Sequence, residues 1–367
     1  MPQFSVRTAD LRPSPIREIL AVIDRPGMVS FAGGLPATET LPAWRVDVPA
    51  ASLQYGPTEG DPGLRELVSG RLCALGLDAP ASRVLILSGS QQGIDLVAKL
   101  FVDRGTAVAV ESPTYLAALQ AFRAFGARFT PLEWDAAPAA PLAYVVPTFA
   151  NPTGACATAA QREALAASCL RGGVTLFEDD PYRDLAYDAC DRTPVASGMA
   201  GGSWIYQGSF SKTLAPGLRL GFLAASEDVF AQLVMLKQAA DLHSCRLSQH
   251  LVATALADPD WPARLERLVA FYRARRDRFA AALELHLGDV ATWSVPAGGL
   301  FFWLRLTREV DTRALLAGAL DRGVAFMPGE DFYAGAPVLG TMRLNFSHAA
   351  DPDAGLAALA GLLADVG

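Results

Sequence analysis

The chain has 367 residues, about half of them hydrophobic, and a formal net charge of −7. That length suggests about two domains of roughly 150 residues each. The acidic balance argues against a general nucleic-acid surface, no apolar run reaches the ~18 residues of a membrane span, and Met1 to Asp10 lacks the apolar core of a secretory leader.

In chain order, the first forty residues carry little regular pattern and are expected to pack on a small domain or on a partner subunit. From about residue 64, short apolar runs alternate with helical patterns. Val84–Ser88, Ala107–Glu111, Ala143–Pro147, Val174–Glu178 and Trp204–Gln207 read as buried strands, with amphipathic helices at Gln91–Val102, Tyr115–Phe125 and Ala159–Leu170. Such alternation predicts a largely parallel sheet covered on both faces. Gly221–Ala225 reads as a further strand reached without a helix, and so able to run antiparallel. After residue 245, Pro262–Leu287 forms one long Arg-rich helical pattern. It is followed by a strand at Gly299–Leu306, a helix at Asp311–Arg322, strands at Val324–Met327 and Thr341–Phe346, and a terminal helix from Asp353. The expectation is an α/β fold with a large domain at 46–255. A smaller α+β domain takes 1–45 and 270–367, and 256–269 starts the interdomain helix.

The cysteines, five in number and without a CxxC pair, read as free thiols of a reducing cytoplasm, and the four histidines show no metal-ligand spacing. The basic residues are more telling: of 31, only Lys99, Lys212 and Lys237 are lysines. A lysine kept in so Arg-rich a chain points to a need for an amine, which a guanidinium cannot supply. Lys212 lies in Ser209-Phe210-Ser211-Lys212, with Arg219 close behind. An amine for a Schiff base thus sits beside two hydroxyls and a guanidinium fit for a phosphate.

Ser88-Gly89-Ser90-Gln91 joins a strand to a helix, where free N–H groups hold an anion or a serine simply caps the helix. Asp179, Asp180 and Tyr182 close another strand. A carboxylate there suits a protonated pyridine nitrogen, or else a solvated acidic turn. Asn151-Pro152-Thr153-Gly154 is a turn or a site, and Tyr115 offers a ring for stacking or for the core. Arg343, alone inside an apolar strand, needs an anion: an internal carboxylate or a substrate's.

Together and in this order, with Ser30-Phe31-Ala32-Gly33-Gly34 and Leu53-Gln54-Tyr55-Gly56 before them, these motifs resemble the fold-type I, class I/II aminotransferases. They are most similar to the branch of 2-aminoadipate and kynurenine aminotransferases. The resemblance implies a mostly parallel seven-stranded sheet, pyridoxal 5'-phosphate (PLP) as cofactor, and a cytoplasmic homodimer with shared active sites. It also implies roles. Lys212 carries the cofactor as a Schiff base and shuttles the proton. Asp179 pairs with the ring nitrogen, Asn151 and Tyr182 meet the ring hydroxyl, and Tyr115 stacks on the ring. Ser90, Gln91, Ser209, Ser211 and Arg219 hold the phosphate, which Tyr55 reaches from the neighbouring subunit. Arg343, helped by Asn151 and the Gly34 backbone, takes the substrate carboxylate. Arg17 either meets a distal carboxylate or sits on an exposed helix face. The implied reaction is ping-pong transfer from an L-amino acid to a 2-oxo acid, with 2-oxoglutarate as the expected acceptor, and with no nucleic acid or membrane involved. The alternatives are another PLP reaction (lyase, decarboxylase or cyclase) and a catalytically idle PLP-binding sensor. Accumulation of pyridoxamine phosphate with one amino acid alone separates them.

Overall fold

The structure is a computed structural model that describes residues 5, 7 and 27–365. The chain enters through a two-residue strand β1 (Val29–Ser30) and a helix α1 (Pro62–Ala74). It then alternates β2 (Val84–Leu87), α2 (Ser90–Phe101), β3 (Ala107–Val110), α3 (Leu116–Ala124), β4 (Arg128–Pro131), β5 (Leu142–Val145), α4 (Ala159–Gly172), β6 (Thr175–Asp179), β7 (Trp204–Ser209) and β8 (Gly221–Ala225). These strands make a seven-stranded sheet of order β2-β8-β7-β6-β5-β3-β4, parallel except for β8, which runs against both its neighbours. Every residue of β2, β5 and β6 is buried. Alternation along the strands splits them between two cores: Val84 and Ile86 pack on one face, Leu85 and Leu87 on the other. Helix ends follow local chemistry. Asp61 caps α1 by accepting from the Leu64 N–H, with Pro62 in the first turn. Thr158 and Gln161 form a reciprocal capping box on α4, which stops at left-handed Gly173.

The edge strand β4 was not among the strands read from residue patterns. Arg128-Phe129-Thr130-Pro131 is half exposed, so it lacks the apolar run of its neighbours, and its proline suits an edge position. The short helices α5 (Glu227–Asp241) and α6 (Arg246–Ala257) lead into α7 (Trp261–Leu287), 27 residues long. Trp261 of α7 packs in the core of the large sheet, whereas Leu268, Phe279 and Leu287 pack in the second core. That second core is built on an antiparallel sheet of β9 (Ala291–Thr292), β10 (Phe301–Leu306), β12 (Met327–Pro328) and β13 (Thr341–Asn345), in the order β12-β13-β10-β9. Helices α8 (Thr312–Asp321) and α9 (Asp353–Asp365) cover it, and β11 (Val324–Ala325) pairs in parallel with β1. The described part of the N-terminal segment therefore packs on the small domain, one of its two expected places. Among the described residues, no helix is long and apolar enough to cross a membrane.

Candidate active site

The C-terminal ends of the parallel strands open on one side of the large sheet, the usual ligand side of such folds. The start of α2, the loops after β3 and β5, and the ends of β6 and β7 bring Ser90, Tyr115, Asn151, Asp179 and Ser209 to one cavity of about 400 Å3. Gln91, Tyr182, Ser211, Lys212, Arg219, Gly34 and Arg343 line the same cavity, the last from β13 of the small domain. One of the sequence candidates stands elsewhere. Tyr55 is 76% exposed, set edge-on to His243 with ring centres 5.8 Å apart, and does not line this cavity. Arg17 lies outside the described residues.

Asp179 ends β6 with its carboxylate fixed from both sides: Tyr144 Oη donates to it at 2.9 Å and Gln207 Nε2 at 3.0 Å. Burial pushes its pKa up to about 6, while these two hydrogen bonds favour the charged form. Asp180, next along, turns the other way into a hydrogen bond from Tyr206 and an ion pair with Arg183, each at 2.8 Å. Neither Gln207 nor Tyr144 was singled out from sequence. A Gln closing a buried apolar run was the signal available for the first, and its pairing with Asp179 is set by the sheet. For Tyr144 the strand pattern gave none beyond burial.

Lys212 Nζ donates to the Gly34 carbonyl at 2.8 Å and stands 6.0 Å from the Tyr182 ring centre. Burial, then the guanidinium groups of Arg343 and Arg219, hold its pKa down to about 8. The amine is therefore partly free near neutral pH. Asn151 Nδ2 lies 3.4 Å from the Tyr182 hydroxyl, a long hydrogen bond. Tyr115, at the start of α3, has its hydroxyl pushed up to about 12 by burial and by Asp179.

The anion-binding end is tightly built. Gly89, at φ +82°, precedes the first turn of α2, and a Cβ there would stand 2.6 Å from Arg219 Nη2. Arg219 itself sits in the left-handed region at φ 47°, a conformation that non-glycine residues adopt at a cost. A Cβ on Gly221 would lie 3.0 Å from the Ser90 N–H nitrogen, so the loops after β2 and before β8 touch backbone to backbone.

Arg343 is 2% exposed. Its guanidinium carbon lies 4.2 Å from the Phe301 ring centre, which holds the plane from one side. One Nη donates to Asn151 Oδ1 at 2.8 Å and the other to the Ala32 carbonyl, but Nε has no partner. No carboxylate among the described residues pairs with Arg343, and burial holds its pKa down to about 10. The internal ion pair left open by the sequence is therefore not found. Likewise, no described cation pairs with Asp179. The cavity thus presents a primary amine, a buried carboxylate without a cation, a buried guanidinium without an anion, and a serine-rich loop beside a second guanidinium. This donor set fits a phosphorylated aldehyde with a basic ring nitrogen, together with a carboxylate-bearing substrate.

Comparison with known proteins agrees. The family described as aminotransferase class I and II matches residues 27–361. A 2-aminoadipate transaminase of Thermus thermophilus is 37% identical, over 94% of this chain and 91% of that relative. An aromatic-amino-acid aminotransferase of Thermococcus litoralis is 34% identical, over 94% and 89%. In three dimensions the chain is similar to a crystal structure of the Pyrococcus horikoshii kynurenine aminotransferase in complex with PMP. The TM-score is 0.90 and the identity 31%, over 99% of this chain and 97% of that one.

Proposed function

The chain belongs to the class I and II aminotransferases and is a PLP enzyme of fold type I; on that premise we propose that it moves an amino group from an L-amino acid to 2-oxoglutarate by a ping-pong mechanism, in a homodimer with shared sites. When bound, the cofactor supplies an aldehyde carbon for the amino group and a protonated ring that withdraws electrons from the substrate Cα.

The protein's own residues do the rest. Lys212 Nζ, already partly deprotonated, is the nucleophile that holds the cofactor. Once displaced by the substrate amine, it takes the proton from the substrate Cα. In the return half it hands a proton back to the Cα of the product amino acid. Asp179, fixed by Tyr144 and Gln207, keeps a ring nitrogen protonated, since a carboxylate with a pKa near 6 is charged at neutral pH. Asn151 and Tyr182 would hold the ring hydroxyl, and Tyr115 would offer its face to the ring. Ser90, Gln91, Ser209, Ser211 and Arg219 cradle the phosphate, where the start of α2 adds free N–H groups. Arg343 grips the α-carboxylate, the group that amino acid and oxo acid share.

One observation carries this reading: a buried, unpaired guanidinium shares a single cavity with a lysine of lowered pKa. Tyr55 supports the dimer. It is exposed on its own subunit, beside Leu53 at 73% exposure, and so is free to reach a neighbour's phosphate. A cytoplasmic setting accords with free cysteines. Arg17 remains the candidate for a distal carboxylate. The test is a coupled panel of the twenty standard amino acids, 2-aminoadipate and kynurenine with 2-oxoglutarate. The named activities of the relatives put 2-aminoadipate, the aromatic amino acids and kynurenine first. Glutamate formation with at least one of them is expected, and none with any member would refute the reading.

A further inference from the structure

Lys237 is the lysine that the cofactor chemistry leaves unexplained. Of the other two, Lys212 lines the active-site cavity, and Lys99 makes a solvent-accessible pair with Asp95 one turn away on α2. Lys237 lies on α5 with a side chain that is fully buried. Burying an ammonium is costly unless its N–H groups find acceptors. Here they do: Nζ donates to Asp241 Oδ1 at 2.8 Å, to Gln92 Oε1 at 2.9 Å and to Ser244 Oγ at 3.0 Å. Acceptors on three residues around one nitrogen suit an ammonium, whereas a guanidinium donates only in its own plane. That is a physical reason for a lysine at this position in so Arg-rich a chain.

The three acceptors lead to the phosphate end of the active site. Gly89, ahead of the first turn of α2, has no side chain to cap it, and the amides of Ser90 and Gln91 have no acceptor within the helix. The turn is closed from behind instead. Gln92 Oε1 also accepts from the Ser88 N–H at 2.8 Å, and its Nε2 donates to Asp241 Oδ2 at 2.7 Å. Ser88 Oγ donates to the same carboxylate oxygen at 2.8 Å, and Ser244 Oγ donates to the Ile86 carbonyl of β2 at 3.1 Å. Lys237 thus joins the end of β2, the start of α2 and the end of α5 at one nitrogen. Ser90 and Gln91 line the active-site cavity, but Gln92, Lys237 and Asp241 do not.

We propose that Lys237 is a positioning residue for the cofactor's phosphate: by fixing Gln92 it holds the turn at 88–91 in the shape that aims the free N–H groups of Ser90 and Gln91 at the anion. The proposal rests on the PLP reading of the cavity. Its effect is on the grip of the phosphate and not on proton transfer at Lys212, because the ammonium stands behind the turn and outside the cavity.

The test compares PLP with pyridoxal, which can attach to Lys212 but has no phosphate. Dissociation constants of both are read from the absorbance of the apoenzyme on titration, and the bound phosphate is followed by its 31P resonance. The variants are Lys237→Met, Gln92→Leu and the two combined. Lys237→Met should weaken PLP about tenfold or more, the loss of a hydrogen bond to a charged group, while pyridoxal affinity stays unchanged. The 31P resonance of the bound phosphate should shift. Gln92→Leu should do the same, and the double variant should lose no more than either single one, because one acts through the other. Gln92 is neutral and half-buried, so it decides the matter even where Lys237→Met fails to fold. Equal losses for PLP and pyridoxal, unchanged PLP affinity, or additive losses overturn the proposal. Failure of the wild-type chain to take up PLP at all would refute the cofactor reading itself, and this proposal with it.

Discussion

Replacing Arg343 by alanine tests the link between geometry and transamination most directly. The guanidinium is buried against Phe301, bonded to Asn151 and the Ala32 carbonyl, and has no carboxylate partner among the described residues. Its pKa is held down to about 10 by burial, on the order of 3 kcal/mol against the charged form. That charge therefore weakens the empty fold and is relieved when a substrate carboxylate arrives. The expected result is asymmetric. Removing the cation leaves the melting temperature nearly unchanged, because relief of the buried charge offsets the lost packing on Phe301. Losing a buried charge-assisted contact to substrate costs about 2 to 5 kcal/mol, or roughly 30- to 5000-fold in kcat/KM. Amino acid and oxo acid share the α-carboxylate, so both half-reactions should fall by similar factors. Stopped-flow absorbance of the bound cofactor follows each half-reaction in a single turnover. The visible spectrum should be intact, since the phosphate cradle and Lys212 are untouched. Normal rates in both halves would make Arg343 structural. Loss confined to the first half would mean that no oxo acid uses the pocket.

Lys212→Ala should abolish both the visible absorption of the loaded enzyme and turnover, while PLP still binds through its phosphate; unchanged absorbance and turnover would remove Lys212 from the chemistry. Asp179→Ala should lower kcat by several orders of magnitude, because an electrostatic partner of the reacting centre contributes roughly 3 kcal/mol or more. Asp180→Ala should act mainly on thermal stability, and the reverse ranking would contradict the side-chain directions described above. Mixing Lys212→Ala with Tyr55→Ala subunits should restore activity that neither homodimer has, since one hybrid site keeps both groups; a monomer in sedimentation would contradict it. Capture of PLP by the apoenzyme should quicken as pH rises through about 8, because burial and two guanidinium groups favour the neutral amine of Lys212. A midpoint near that of an ordinary lysine would refute the lowered pKa.

How far the sequence revealed this site depends on the kind of residue. Chemistry that needs a particular atom left a visible trace: one of only three lysines in an Arg-rich chain, an aspartate ending an apolar strand, an arginine inside another. The strands that position them were legible because burial on both faces demands unbroken apolar runs, and β4 was not, because an edge strand is released from that demand. What stayed hidden depends on register. Gln207 supports Asp179 only because β6 and β7 pair Asp179 with Gln207 and so set the amide beside the carboxylate. Tyr144 reaches the same carboxylate from β5, the neighbour of β6 on its other side. A one-residue slip would turn either side chain to the opposite core. The same reasoning explains why Asp179 and Asp180, adjacent and chemically alike, divide their work. Alternation along the end of β6 sends one into the cavity with Lys212 and the other behind the sheet to Arg183 and Tyr206. Composition cannot choose between two neighbouring aspartates. The choice is made by the sheet, which buries both and, among the described residues, gives a cation to only one, leaving Asp179 as the carboxylate that the proposed function pairs with a ring nitrogen.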